Sequence, residues 1–245
     1  MKLIIGIDDT DNIESRGTGF RARQLGLLLK EHNYAELHSI ARHQLLFDRR
    51  IPYTSHNSSA SIVFNSLTNT QTIIDFCSDY LQRESAEGSD AGLCVAEFDN
   101  VPDSVIDWGS KAKRIILTLD DAHQLAEKEG IFLKGFKGLK IGVIGSLAAV
   151  GLRKNGNDGR LLWLENLRET QGIYTAKDLL NIMHIDRITD KDITVVPENI
   201  KIFFGDWSRP VLIDKQITLI VEEEKSDERF KWKCASKEYI KSISQ

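Results

Sequence analysis

The feature that most constrains the fold is a short apolar run near the start of the chain that ends in acidic residues. Residues 3–7 are almost entirely Leu and Ile, with Gly6 among them. A continuous apolar run, as opposed to an alternating one, predicts a strand that is buried on both faces. Asp8, Asp9 and Asp11 follow at once. The sequence therefore predicts three carboxylates at the carboxyl end of a buried strand, at the edge where open α/β sheets bind ligands.

Periodic apolar residues and capping residues predict the next elements. Leucines at helical spacing predict a helix over residues 21–31, and a second apolar stripe predicts one over 70–83. Short strands are predicted at 60–64 and 92–98. Thr118 and Asp121 have the spacing of a capping box, and Gly130 stands where a helix should end.

The composition changes to turn-forming residues over 154–159, which indicates a domain boundary shortly afterwards. We expect a larger α/β domain over residues 1–164 and a smaller α+β domain over residues 165–245. In the second part, Thr175 and Asp178 cap a predicted helix, and strands are predicted at 201–204, 211–213 and 216–221. The overall class is therefore mixed α+β.

Charge and cysteine content exclude some functional classes. The 245 residues carry a formal net charge of −4, so any contact with nucleic acid requires a local basic patch. Three widely spaced cysteines without a Cys-x-x-Cys pair give no zinc motif and fit a reducing compartment. The N-terminal apolar run is too short for a signal peptide. We expect a cytoplasmic protein.

The acidic cluster is the strongest chemical signal. Adjacent carboxylates repel each other and raise each other's pKa, so a divalent cation is their natural partner. Magnesium commonly combines one or two carboxylates with phosphate oxygens, which predicts ATP with Mg²⁺ at Asp8, Asp9 and Asp11. The alternative is an acidic turn in which Asp11 and Asn12 only supply turn hydrogen bonds.

Glycine-rich segments offer two further candidate sites for an anion. Gly17 precedes the first helix, where backbone N–H groups face an incoming ligand, but a plain glycine turn fits equally. The Gly17–Ala22 string has the G-x-G-x-x-A spacing, yet it does not follow the strand directly, which excludes a Rossmann site, and no P-loop string is present. Gly142–Gly151 is interpreted as a close-packed helix or as a phosphate cradle.

Two polar segments remain open to more than one interpretation. Residues 51–60 combine hydroxyls, an amide and His56, which suits a general acid or base, although a solvated turn has the same composition. Residues 229–234 alternate basic and aromatic side chains, which fits either single-stranded nucleic acid or a solvated edge strand.

Several strings together resemble one family in order and spacing. They are Gly6–Asp11, Arg16-Gly17, Ile51-Pro52-Tyr53 with Asn57, and Ile144–Gly151. The chain resembles the archaeal tRNA-isoleucine agmatidine synthetases, which use ATP to phosphorylate an anticodon cytidine and then displace that phosphate with agmatine. The resemblance implies a kinase-like domain followed by a ferredoxin-like domain, without the family's OB and zinc-ribbon domains.

The resemblance also implies roles for individual residues. Asp8, Asp9 and Asp11 would bind the metal and act in catalysis, beside His56, which is a candidate from its own chemistry. The threonine that the family phosphorylates on itself matches Phe20 here, and Thr18 lies two residues earlier. Either Thr18 takes its place in catalysis through a shifted loop, or this chain omits that step. The residues expected to contact the nucleotide are Thr10, Arg16, Gly17, Thr54, Asn57, Gly145 and Ser146.

The sequence thus favours a Mg²⁺- and ATP-dependent phosphotransferase or ligase acting on an RNA cytidine or a nucleotide-like acceptor. One alternative is a kinase or ligase for a small molecule such as an amine or free nucleotide. A second is a nucleotide- or RNA-binding module without catalysis, which would bind ATP and leave it intact.

Overall fold

A computed structural model of the chain describes residues 1–52 and 56–244. The chain divides into two compact units, Met1–Asn155 and the segment that begins at Gly156. The sequence-based boundary lay after residue 164, whereas this division falls at a glycine with φ of +80°. Across the described residues, no helix is both long enough and apolar enough to cross a bilayer.

The first unit is an antiparallel sheet covered by helices. Its strands are β1 (Lys2–Asp8), β2 (Ala35–Gln44), β3 (Ser58–Ser66), β4 (Gly92–Glu97) and β5 (Phe132–Gly135). Its helices are α1 (Thr18–Glu31), α2 (Thr70–Glu84), α3 (Asp103–Ala112), α4 (Leu119–Lys128) and α5 (Val143–Asn155). The strand order is β5-β4-β1-β3-β2, so β1 is central.

The direction of the strands corrects one expectation. Strand β1 is antiparallel to both of its neighbours, with Asp8 opposite Gly92 and Ile7 opposite Ala60. The acidic residues therefore do not lie at the carboxyl edge of a parallel sheet. Apolar runs identify strands locally, but strand direction depends on pairing between distant segments, which the pattern of one strand does not encode.

The register of the strands assigns the helices to opposite faces of this sheet. Ile5, Ile62 and Ile40 lie opposite one another across β1, β3 and β2 and so share a face. A Cβ on Gly26 of α1 would contact Ile40, which places α1 on that face. Gly6 faces the opposite way and lies against α5.

Each face buries its own hydrophobic layer. Tyr80 of α2 donates a hydrogen bond to the carbonyl of Arg21 in α1 at 3.4 Å, so α2 lies beside α1. On the other face, Ile4 and Cys94 pack with Trp108 of α3 and Leu147 of α5. The first unit is therefore a three-layer α/β/α arrangement.

Side-chain caps fix the helix starts that the sequence predicted. Asn69 accepts a hydrogen bond from the Thr72 backbone at the start of α2. Thr118 does the same for Asp121 in α4, and Gly130 follows that helix with φ of +64°. These helices are confirmed because local capping chemistry defines their ends.

The second unit is also α+β. Its strands are β6 (Arg160–Trp163), β7 (Gly172–Thr175), β8 (Arg187–Thr189), β9 (Lys201–Phe204), β10 (Val211–Ile213), β11 (Gln216–Glu223) and β12 (Trp232–Cys234). Its helices are α6 (Ala176–Met183), which starts at a complete Thr175–Asp178 capping box, and α7 (Lys237–Ile243). The strand order is β6-β10-β11-β12-β9-β7, with β8 parallel to β11. The predicted mixed α+β class is confirmed.

Strand β12 contains the basic and aromatic segment noted in the sequence. It pairs with β11 on one side and with β9 on the other. The interpretation of this segment as an edge strand is therefore wrong, because both of its backbone edges are hydrogen-bonded.

Candidate functional site

The end of β1 opens into a cavity of about 290 Å³ in the first unit. Carboxylates form its floor, and aliphatic side chains form one wall. The polar lining residues are Asp8, Asp9, Asp11, Thr18, Arg50, His56, Asn57 and Ser58. The aliphatic wall consists of Leu45, Ala112, Ile115, Ile116, Leu117, Leu119, Ile141 and Ile144. A ligand here would meet concentrated negative charge at one end and an apolar surface along its side.

Asp8 is the last residue of β1 and lies at the floor of the cavity. Burial raises the pKa of its carboxyl well above the usual value, and the charges of Asp9 and Asp11 raise it further. The positive charge of Arg42 lowers this pKa in part. The predicted repulsion is thus present, with loss of hydration as the larger cause.

Asp9 turns the chain away from the strand, with φ of +50° in the left-handed region that Asp tolerates better than most residues. Burial, followed by the charges of Asp90 and Asp11, raises its pKa to about 7. Asp90 precedes β4 and accepts a hydrogen bond from the Lys140 backbone at 2.9 Å. Sequence reasoning missed Asp90, because only the pairing of β4 with β1 brings it to this site.

Asp11 is held differently, at the start of α1. Its Oδ1 accepts hydrogen bonds from the Thr18 backbone N–H at 3.0 Å and from the Thr18 hydroxyl at 2.8 Å. The Thr18 Oγ1 in turn accepts hydrogen bonds from the backbone and hydroxyl of Thr10. Thr10 and Thr18 are both buried. Asp11 therefore caps the helix that the Gly17 N-cap leaves without a side-chain cap.

The first turn of α5 packs tightly against this floor. A Cβ on Gly145 would overlap Asp8 Oδ2, and one on Gly6 would overlap the Ser146 carbonyl oxygen. Glycine is required at both positions by this close approach. Ser146 itself is fully buried, does not line the cavity, and donates its hydroxyl hydrogen to the Val143 carbonyl at 3.0 Å. In this structure Ser146 thus has a packing role, and its contact with a phosphate stays a prediction.

Arg16 and Gly17 lie outside the cavity lining. Arg16 is exposed, and its guanidinium stacks over the Phe20 ring at 4.5 Å. A Cβ on Gly17 would meet nothing nearer than Asp11 Oδ2 at 3.8 Å, so this position does not require glycine. The Phe20 ring therefore packs beneath this arginine.

Part of the cavity lining, here called its mouth, consists of Arg50, Ile51, Pro52, His56, Asn57 and Ser58. His56 is exposed and lies edge-on to the Phe47 ring, with centroids 6.3 Å apart. The side-chain amide of Asn57 donates to the Leu46 carbonyl at 2.8 Å, and its own backbone carbonyl accepts from the Leu45 backbone. Asn57 therefore fixes the backbone of Leu45 and Leu46 at the mouth. Thr54, a predicted nucleotide contact, lies outside the described residues.

The aliphatic wall was not anticipated from the sequence. Its centre is the string Ile115-Ile116-Leu117, between α3 and α4, where Ile115 is 52% exposed and Ile116 is 39% exposed. The sequence feature that could have indicated this wall is the pair of isoleucines directly before a capped helix. These isoleucines form a wall because the fold brings Leu45 and Ile144 to the same cavity.

The oxygen donors at the cavity suit a hard divalent cation. Among residues 1–52 and 56–244, no group of three or more His, Cys, Asp or Glu side chains is arranged to hold a metal ion. Asp8, Asp9 and Asp11 all line the cavity, and the Oδ1 of Asp11 also accepts two hydrogen bonds from Thr18. One or two carboxylates suit magnesium when phosphate oxygens and water complete the shell.

Comparisons with known proteins agree with the motifs in the sequence. No protein-family model matches the chain. It is 27% identical over 197 residues to TiaS of Pyrococcus horikoshii, a 2-agmatinylcytidine synthetase for an isoleucine tRNA, covering 76% of this chain and 44% of that enzyme. For the enzyme of the same name from Cenarchaeum symbiosum the identity is 26% over 193 residues, covering 71% and 42%. The chain thus spans less than half the length of these relatives.

Solved structures share the fold. Apo TiaS, described as an agmatidine synthetase for the same isoleucine tRNA, superposes with a TM-score of 0.53 at 22% identity, covering 62% of this chain and 35% of that one. The complex of TiaS with that tRNA and ATP gives a TM-score of 0.52 at 23% identity, covering 62% and 36%. In sequence motifs and in fold, this chain is similar to the 2-agmatinylcytidine synthetases of isoleucine tRNA.

Proposed function

We propose that this chain binds ATP with a divalent cation in the carboxylate cavity and transfers a phosphoryl group to a nucleotide-like acceptor. The observation that supports this most directly is the pair Asp8 and Asp9, which share one cavity floor and both have raised pKa values. Ionising two such carboxylates in a desolvated site costs free energy that a bound cation offsets. The relatives include a protein solved with tRNA and ATP.

Asp8 and Asp9 would hold Mg²⁺, which requires no third protein carboxylate when phosphate oxygens are present. Bound in this way, the ion would neutralise charge on the transferring phosphoryl group. The aliphatic wall would exclude water from the reacting phosphate, and Gly145 would let the polyphosphate approach the first turn of α5 closely. Phosphoryl transfer depends mainly on such positioning and charge neutralisation.

The Asp11–Thr18 pair would position this floor. Asp11 keeps the Thr18 hydroxyl directed at its carboxylate, and Thr18 holds Thr10 in place. His56 lies at the mouth, where its ring would meet the acceptor and not the polyphosphate. The cation would then bind at one end of the cavity and the acceptor at the other.

Isothermal titration calorimetry of MgATP tests the proposal. Wild type should bind, and Asp8→Asn should weaken binding by about a hundredfold, as removal of one charged partner in a desolvated site does. Asp79→Asn, on α2 at the opposite face of the sheet, is the matched control and should bind like wild type. Equal affinity for all three proteins would refute the assignment of the site.

Phosphorus NMR then separates catalysis from binding. ATP mixed with Mg²⁺, the protein and either tRNA or a pool of small amines and nucleotides should lose a phosphate in the fraction that holds the acceptor. Consumption with tRNA supports an RNA acceptor, whereas consumption with small metabolites alone supports the small-molecule alternative. ATP that remains bound and intact in both fractions would mean a binding module without catalysis.

A further inference from the structure

Buried hydroxyl groups lie beside Asp8, on the face of the sheet that α5 covers. Gly6 of β1 packs against α5, and Ser61 of β3 is its partner in the sheet, so Ser61 shares that face. Side chains alternate between the two faces of a sheet, and these strands are antiparallel. Two steps from the Gly6–Ser61 pair therefore lead to Asp8 on β1 and Ser59 on β3, as neighbours on the same face.

The Ser59 hydroxyl is buried without a partner among the residues that the structure describes. Ser59 is 1% exposed, and its Oγ makes no hydrogen bond to any of them. Burial removes the hydration of a hydroxyl, and without a replacement hydrogen bond this destabilises the fold. Such groups are uncommon in native proteins. An alanine at this position would fill nearly the same space without that cost.

The next hydroxyl on the same face of β3 shows the ordinary arrangement. Ser61 is fully buried, and its Oγ is hydrogen-bonded to Nε2 of His43 at 2.8 Å. His43 stands directly opposite Ser59 in the ladder between β2 and β3, yet its Nε2 bonds Ser61. The two serines thus differ, because the fold uses the Ser61 hydroxyl and leaves the Ser59 hydroxyl unused.

Asp8 is the neighbour that offers Ser59 an acceptor. Its Oδ2 lies against Gly145 of α5, on the face that Ser59 shares. Opposite side chains on adjacent strands have Cβ atoms about 5 Å apart, which is within reach of a hydroxyl-to-carboxylate hydrogen bond. A carboxylate has two acceptor oxygens, so one can ligate a cation while the other accepts a hydrogen bond. Outer hydrogen bonds of this kind orient the ligands of many metal ions.

We propose that Ser59 is a positioning residue for Asp8: when Asp8 ligates a divalent cation, the Ser59 hydroxyl donates a hydrogen bond to its carboxylate and fixes the orientation of that ligand. The proposal rests on the proposed function, because it requires a cation at Asp8. Ser59 belongs neither to the acidic motif nor to the lining of the cavity. The proposal explains why a hydroxyl is buried where the fold itself does not use it.

Ser59→Ala and Ser61→Ala form a matched pair of variants, because each removes a buried hydroxyl from the same face of β3. In the full chain without ligand, Ser59→Ala should raise the midpoint of thermal unfolding by about 3 °C, since it removes a group that destabilises the fold. Ser61→Ala should lower the midpoint by about 3 °C, because it removes the hydrogen bond to His43.

Calorimetric titration of MgATP at a fixed excess of Mg²⁺ gives the second readout. Ser59→Ala should bind MgATP about tenfold more weakly than wild type, as loss of an outer hydrogen bond to a metal ligand does. Ser61→Ala should bind like wild type. A purely structural role for Ser59 predicts the opposite combination, in which the variant loses stability and any loss of binding follows from that.

The possible outcomes separate the two proposals. A Ser59→Ala protein that is more stable and binds MgATP more weakly supports the positioning role. Equal affinity of Ser59→Ala and wild type would overturn that role and leave the proposed function standing. A lowered thermal midpoint for Ser59→Ala would also overturn it, because the hydroxyl would then already stabilise the fold. Wild type that does not bind MgATP would reject the proposed function, and the positioning role with it.

Discussion

The acidic residues of the Gly6–Asp11 motif lie in two different environments. At the cavity floor, Asp8 and Asp9 are desolvated, close to other acids, and have raised pKa values. At the start of α1, here called the corner, Asp11 accepts two hydrogen bonds from Thr18 within 3.0 Å. Three carboxylates that look equivalent in sequence thus have different surroundings, because two are desolvated and the third accepts hydrogen bonds at the start of α1.

The difference shows that clustering in sequence does not by itself define a metal site. A carboxylate whose lone pairs are engaged by backbone and hydroxyl donors is already stabilised. A carboxylate that is buried next to other acids is destabilised in its ionised form, and a bound cation offsets that cost.

The largest loss of stability is expected from the glycine against the floor. Gly145→Ala places a methyl group where Asp8 Oδ2 lies, so the carboxylate or α5 must move. Overpacking of this kind costs about 3 kcal/mol of unfolding free energy, and MgATP binding should fall with it. Gly17→Ala at the corner has space for a methyl group and is the matched control. Urea unfolding measures both, and equal stabilities would argue against the close approach of α5.

A second prediction concerns the pH dependence of stability without ligand. Asp9 has a pKa of about 7 in the folded protein because of burial and of the charges of Asp90 and Asp11, against an ordinary value of 3.8. The folded state therefore binds more protons than the unfolded state between about pH 4 and pH 7, and stability falls as the pH rises through that window.

Asp9→Asn removes this titration. The variant should be more stable than wild type by up to about 4 kcal/mol at pH 8, and the gain should vanish towards pH 4. Chemical unfolding at both pH values measures the difference. A variant that is less stable than wild type at pH 8 would show that Asp9 is stabilised in the folded state, contrary to the account of the floor.

The smallest effect is expected at the corner. Asp11→Ala removes the acceptor for the Thr18 backbone N–H and should cost about 1 kcal/mol of unfolding free energy, as loss of a helix cap does. Glu14→Ala, in the same loop, is the control and should leave stability unchanged. If Asp11→Ala abolished MgATP binding as completely as Asp8→Asn, the division between cap and floor would be wrong.

Local chemistry explains which parts of the fold were predictable. Helices α2, α4 and α6 begin at side-chain caps, which short sequence patterns reveal. Helix α3 was missed because its N-cap, Pro102, offers no capping hydrogen bond. Strand β2 was missed because its residues mix charged and apolar side chains without clear alternation, and its pairing with β3 makes it a strand.

The candidate site likewise has a part that the sequence predicted and a part that it did not. Asp8, Asp9 and Asp11 were found from their adjacency, whereas Asp90 and the aliphatic wall come from segments far apart in the chain. The separate roles of Asp8 and Asp11 depend on Gly145 and Thr18, which the fold brings to them. The position of the carboxylate cluster could thus be predicted from the sequence. The different surroundings of its members depend on tertiary contacts.

The most direct test of the floor is a crystal structure of the chain with Mg²⁺ and a non-hydrolysable ATP analogue. The account predicts a cation bound to Asp8 and Asp9 and bridged to the polyphosphate, with Asp11 still hydrogen-bonded to Thr18. An analogue bound elsewhere, with both floor carboxylates turned away from it, would contradict the account.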